Sequence, residues 1–261
     1  MQASHDWSGV SETATEGERQ YVGAGRCPDG WVAVVHTVDG FDHAAVFPEV
    51  GALWGRYEET AERILVGVPV GLLEGGEDPR PPEPLAREVL GPRASAVVPA
   101  PVREATRKRR HATATRVNER KTGRRLSKRA HELAGYIAEV DSLLGAIPEA
   151  REVVVESHPE LCFRALAGET LSYDAGTAAG YAERLRVLAA FDADAPVDVV
   201  NASEATGGHE VRVADVIDAT ALALTARPGP GEFRSLPTDP PLDPEGLPMR
   251  MCYRSERPLG G

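Results

Sequence analysis

The order of strand-like and helix-like segments predicts a mixed α/β domain, with an antiparallel meander first and alternating strands and helices after it. Three observations carry this. The run Trp31-Val-Ala-Val-Val-His-Thr-Val38 is followed by Asp39-Gly40 and a returning segment at 41–47, the pattern of a hairpin. Two short apolar runs, 64–70 and 152–156, have the length and composition of buried strands. Helical periodicity fills most of the chain between and after them. Together these imply one sheet covered by helices.

Element by element, residues 21–24 read as a first strand and Arg26-Cys-Pro-Asp-Gly30 as a turn into the second. Residues 50–63 read as a helix, because Val50, Leu53, Trp54 and Tyr57 fall at i, i+3, i+4 and i+7. After the strand at 64–70, the Gly/Pro-rich stretch 71–84 is too long for a simple connector and is a candidate functional loop. Residues 84–144 are helical and charged. The strand at 152–156 follows, and then helices at 160–166, 178–190 (with Ala178, Tyr181, Leu185 and Leu188 on one face) and 211–226. A Pro/Gly-rich tail carries a last strand at 249–253. The expected organisation is a disordered acidic leader at 1–19, one domain at 20–255 with a helical basic insertion at about 84–145, and a tail at 256–261. The chain shows no internal repeat.

A chain of 261 residues with 42% hydrophobic content is long enough for one substantial core. No stretch approaches the ~18 apolar residues of a membrane span, and the polar start lacks the apolar segment of a secretory signal. Cys27, Cys162 and Cys252 are widely separated and form no C-x-x-C pair, so a reduced, cytoplasmic location without a disulfide framework or structural zinc is expected. The net charge is −11, and Lys108, Lys121 and Lys128 are the only lysines. An acidic, lysine-poor surface suits a high-salt cytoplasm, where screening relieves self-repulsion. A halophilic protein of this kind would melt higher in molar KCl than in dilute buffer. A GC-rich genome also favours Arg over Lys.

Residues 103–129 run against the overall charge. They hold twelve basic residues, among them Arg103, Arg107, Arg109, Arg110, Arg124, Arg125 and Lys128, against Glu104 and Glu119. Such clustering points to a polyanion, most commonly a nucleic-acid backbone. A solvated helix pair bridging to the chain's own carboxylates gives the same pattern. No aromatic residue interrupts the run, so base stacking on it is not indicated. Gly23-Ala-Gly25 is not a dinucleotide fingerprint, because its turn leads into a strand rather than a helix. Glu156 ends a strand, a placement suited to a hard divalent cation. His158 and Glu160 read as local hydrogen bonding and helix capping. Asp215 and Asp218 share one side of a helix, opposite the stripe Val213, Ile217, Ala221 and Leu224, as solvated acids also do.

The order of the short motifs resembles the DUF429 family. They are Val22-Gly-Ala-Gly-Arg-Cys-Pro-Asp-Gly-Trp-Val32, Ile64-Leu-Val-Gly-Val-Pro-Val-Gly-Leu72, Ala86-Arg-Glu-Val-Leu-Gly91, Val98-Pro-Ala-Pro-Val-Arg103, Leu126-Ser-Lys128, Glu139-Val-Asp141, Val155-Glu-Ser-His-Pro-Glu160, Asp215-Val-Ile-Asp-Ala219 and Glu245-Gly-Leu-Pro-Met249. The resemblance implies an RNase H-like fold with three antiparallel strands, then parallel ones, and helices on both faces. It also implies a divalent-metal-dependent nuclease, with Glu156, Asp215 and Asp218 as both metal ligands and catalytic acids for phosphodiester hydrolysis on Mg²⁺ or Mn²⁺. Gly25 and Gly67 stand where the family pattern has Asp, which leaves one weak ion at best, helped by Asp29 or Asp78 from flanking loops. A relative that keeps the fold and binds nucleic acid or a protein without catalysis is the alternative.

Overall fold

The computed structural model describes residues 19–260, so the expected leader falls almost wholly outside the described residues. The meander forms as read. Strands β1 (Gln20–Cys27), β2 (Gly30–Thr37) and β3 (Gly40–Phe47) pair antiparallel. Two-residue turns join them, and Gly40, at φ 134°, adopts a conformation that L side chains rarely take. Strand β4 (Ala61–Val66) lies parallel to β1, and β5 (Val154–Glu156) parallel to β4, giving the order β3-β2-β1-β4-β5. A separate antiparallel pair, β6 (Glu232–Leu236) and β7 (Met251–Ser255), flanks it.

The two-residue strand period sorts the sheet's side chains onto two cores. Val22, Ala24, Ile64, Val66 and Val154 face helices α1 (Val50–Tyr57) and α5 (Lys128–Ala146). Tyr21, Val32, Val34, Leu65 and Val155 face α7 (Pro159–Ala167), α8 (Ala178–Phe191), α9 (Ala195–Ala205) and α10 (Val213–Ala226). Helix α10 sits directly on β1. A Cβ at Gly23 would lie 2.0 Å from the Ala219 carbonyl oxygen and 2.3 Å from the Ala223 nitrogen, so only glycine permits this approach. The remaining helices are α2 (Pro82–Leu90), α3 (Arg103–Thr106), α4 (His111–Thr122) and α6 (Ala150–Val153), with a 3-10 turn at Gly91–Ala96. Among the described residues no helix is long and apolar enough to cross a membrane.

Several boundaries differ from expectation. The helix expected to reach residue 63 ends at Tyr57, whose carbonyl accepts the Thr60 N–H at 3.0 Å, and Ala61 and Arg63 pair with β1 instead. The strand expected to reach Val70 ends at Val66. Gly67 donates a last bond to the Ala24 carbonyl at 3.0 Å, and Pro69 has no N–H to continue the ladder. Glu152 and Val153 close α6 rather than open β5. Helix α9 and strand β6 have no counterpart among the expected elements.

Candidate polar cleft at the strand ends

Because β1, β4 and β5 run parallel, their C-terminal ends emerge on one edge of the sheet, a usual location for ligand sites in such sheets. A cleft of about 230 Å³ opens there. Gly25, Gly67, Glu156, Asp215 and Asp218 all line it, so the structure brings the acids read from sequence and the two glycines to one place. Arg26, Arg93 and Arg129 also line it, with Ser157 and His158 at the start of α7. Asp29 and Asp78 are not among the lining residues. Asp29 instead accepts the Glu210 N–H at 2.8 Å.

The acids differ in what they are free to do. The Glu156 carboxylate is buried and accepts from the Arg80 guanidinium and from the Val70 N–H at 2.8 Å. Arg80 also donates to Glu83 at 3.0 Å and to the Val70 carbonyl at 3.0 Å. Two carboxylates thus share one buried guanidinium, and burial pushes the Glu156 pKa up to about 7 despite Arg80. Asp215 caps α10, accepting the Arg212 N–H at 3.0 Å. Asp218 forms no hydrogen bond or ion pair among the described residues. Part of its surface reaches solvent while protein crowds the rest. Burial pushes its pKa up to about 7; Glu160 and Asp215 add to the rise, and Arg184 and Arg26 oppose it.

His158 is the N-cap of α7, its Nδ1 accepting the Glu160 N–H at 3.2 Å, and burial lowers its pKa to about 4, leaving it neutral. Glu160 is held by Arg184 at 2.6 Å and Arg93 at 3.0 Å.

The basic segment divides in two. Arg103, read as a phosphate contact, is buried instead. It binds Asp141 at 3.0 Å and Glu74 at 2.9 Å, and it also donates to the fully buried Asp243. Arg107 leans on Asp141 at 3.3 Å, and Arg124 donates to the carbonyls of Glu77 and Asp78. These contacts, with the Leu72 N–H on Asp243 at 2.7 Å, pin the candidate functional loop from several sides. By contrast, Arg109, Arg110, Arg116, Arg125 and Lys128 are exposed and form no ion pair among the described residues. The His111 ring bonds the Leu126 carbonyl at 2.9 Å and the His131 ring bonds the Lys108 carbonyl at 3.1 Å. That double clamp gathers Arg109, Arg110, Arg125 and Lys128 where α4 meets α5, and the neighbouring Arg129 lines the cleft.

The family model of DUF429, a protein family of unknown function, matches residues 23–242. The chain belongs to DUF429. No curated protein and no solved structure matches it. The DUF429 match begins at Gly23, where α10 meets β1, and includes every residue named above as lining the cleft. Sequence reasoning missed Arg26, Arg93 and Arg184 around the cleft, and Arg80 beneath it. No spacing signal marks them, since Arg80 and Glu156 are 76 residues apart.

Proposed function

We propose that this DUF429 protein has an RNase H-like fold and binds nucleic acid along the cleft and the adjoining α4–α5 surface, without cleaving it through a metal centre. The strand order, with three antiparallel strands followed by two parallel ones and α10 against β1, supports the fold reading. The donor set does not fit the Mg²⁺ or Mn²⁺ centre that the resemblance implies. Gly25 and Gly67 offer no ligand atom, Arg80 and the Val70 N–H engage one oxygen of Glu156, Asp215 caps its own helix, and Glu160 and Asp174 are paired with arginines, which leaves Asp218 with both oxygens free. One wholly free carboxylate, with the lone Glu156 Oε1 held beside the Arg80 charge, falls short of the several oxygen ligands a hard cation takes from its site.

The observation that carries the binding reading is the cluster of Arg109, Arg110, Arg125 and Lys128. These cations are exposed beside the cleft in a chain of net charge −11 and are not neutralised by its own carboxylates. Labelled single-stranded DNA, RNA and duplex, incubated with the protein and Mn²⁺, provide the test. Retention in a gel shift with the strands intact is expected. Cleavage that Asp218→Asn abolishes would overturn the non-catalytic reading, and failure to retain any strand would overturn the binding reading.

A further inference from the structure

Beyond the cleft, an apolar recess of about 450 Å³ opens between α8 and α10. Ala178, Tyr181, Val213 and Ile217 form its apolar walls, Arg184 and Arg212 also line it, and it adjoins the cleft at the shared residues Ala175 and Asp218. Val213, on the stripe expected to face away from the acids, is 51% exposed at this recess, and Tyr181 is half-buried. An apolar slot with one unpartnered carboxylate at its junction with an arginine-lined cleft suits a flat, largely apolar ring attached to a phosphate chain.

We infer that this recess receives one unstacked nucleobase of the bound strand, with guanine preferred; the inference rests on the nucleic-acid reading above. Above about pH 8, where Asp218 is ionised despite its raised pKa, its carboxylate only accepts hydrogen bonds and has both oxygens available. Guanine places two adjacent donors, N1–H and the N2 amino group, on one edge, and these match the two oxygens. Adenine and cytosine set an acceptor nitrogen beside their amino group, opposing one oxygen to a lone pair. Uracil and thymine flank a single donor with two carbonyls. The apolar walls hold whichever ring enters, and Asp218 selects among rings. Outside the recess, the exposed Arg26 and Arg129 line the cleft without a carboxylate partner among the described residues and are placed to meet the strand's phosphates.

The probe is a labelled abasic sugar–phosphate oligomer, compared with the same oligomer carrying a single guanine, adenine, cytosine or thymine. Fluorescence anisotropy at about pH 8.5 and fixed salt, with Asp218 ionised, should show the guanine oligomer binding about tenfold or more tightly than the abasic one, with the other bases between them. Val213→Trp, which fills the recess from its exposed mouth, should bring the guanine oligomer down to the abasic level. Asp218→Asn should remove the preference for guanine over adenine while both still exceed the abasic oligomer. Equal binding of guanine and abasic oligomers would overturn this inference and leave the phosphate-binding reading standing. Binding of neither would overturn both.

Discussion

Arg103 and Arg110 lie seven residues apart in one basic run, yet the fold uses them in opposite ways. Arg103 is enclosed by Asp141, Glu74 and Asp243 and holds the loop after β4 against the rest of the domain. Arg110 stands in solvent at the start of α4, clamped through its neighbours by the two histidines. The same division runs through the acids, where Glu156 belongs to a buried cluster with Arg80 and Asp218 faces the cleft without a partner. A cluster of like charges in sequence therefore does not identify a binding surface. Only the members left without internal partners remain available to a ligand.

The sharpest way to break this contrast is to remove a cation from each group. Arg103→Ala should cost about 3–5 kcal/mol, because it leaves buried carboxylates without their counter-charge. Arg110→Gln should stay within about 0.5 kcal/mol of the parent. Urea denaturation measures both, and equal losses would erase the distinction between the two halves of the segment.

A smaller effect is expected at Asp218. Its folded-state pKa is raised above that of an exposed aspartate, so between about pH 4 and 7 the folded chain holds more protons than the unfolded one. The Asp218 contribution to stability should therefore be highest at the acid end of that window and fall as pH rises through it. The slope from this group is at most about 1.4 kcal/mol per pH unit. Asp218→Asn should remove that component of the slope, and an unchanged profile would mean that Asp218 is better solvated than its surroundings indicate.

The smallest change in stability is expected at the two glycines of the cleft. A Cβ at Gly25 would have its nearest neighbour at 3.5 Å, and one at Gly67 also at 3.5 Å, both ordinary contact distances. Gly25→Asp with Gly67→Asp should fold and bind Mn²⁺ more tightly than the parent in a calorimetric titration. Each single change should do less, since ligands on one ion act together. Unchanged Mn²⁺ affinity in the double variant would show that the rest of the cleft cannot direct those carboxylates to one ion.

The meander was legible because hairpin chemistry is local. Turn residues at Pro28-Asp29 and around Asp39-Gly40 flank β-branched runs, and the pairing followed. The end of α1 was not, because Glu58, Glu59, Glu62 and Arg63 suit a helix and only pairing with β1 makes Ala61–Val66 extended. Strand β6 hid in a Pro/Gly-rich tail because its half-buried residues owe their structure to β7. At the site, sequence named the acids that meet in the cleft. It could not show that Glu156 is claimed by Arg80 or Arg103 by Asp243, because those partners lie 76 and 140 residues away.

The central claim is that the unpaired cations beside the cleft contact phosphates, and the salt dependence of binding tests it most directly. A variant with Arg109, Arg110, Arg125 and Lys128 all changed to Gln should bind single-stranded nucleic acid more weakly. Its plot of log affinity against log salt should be flatter by about 0.7 for each phosphate no longer neutralised, with the melting temperature unchanged. An unchanged slope accompanied by a lower melting temperature would contradict the account, because it would mean that these residues serve the fold rather than a ligand.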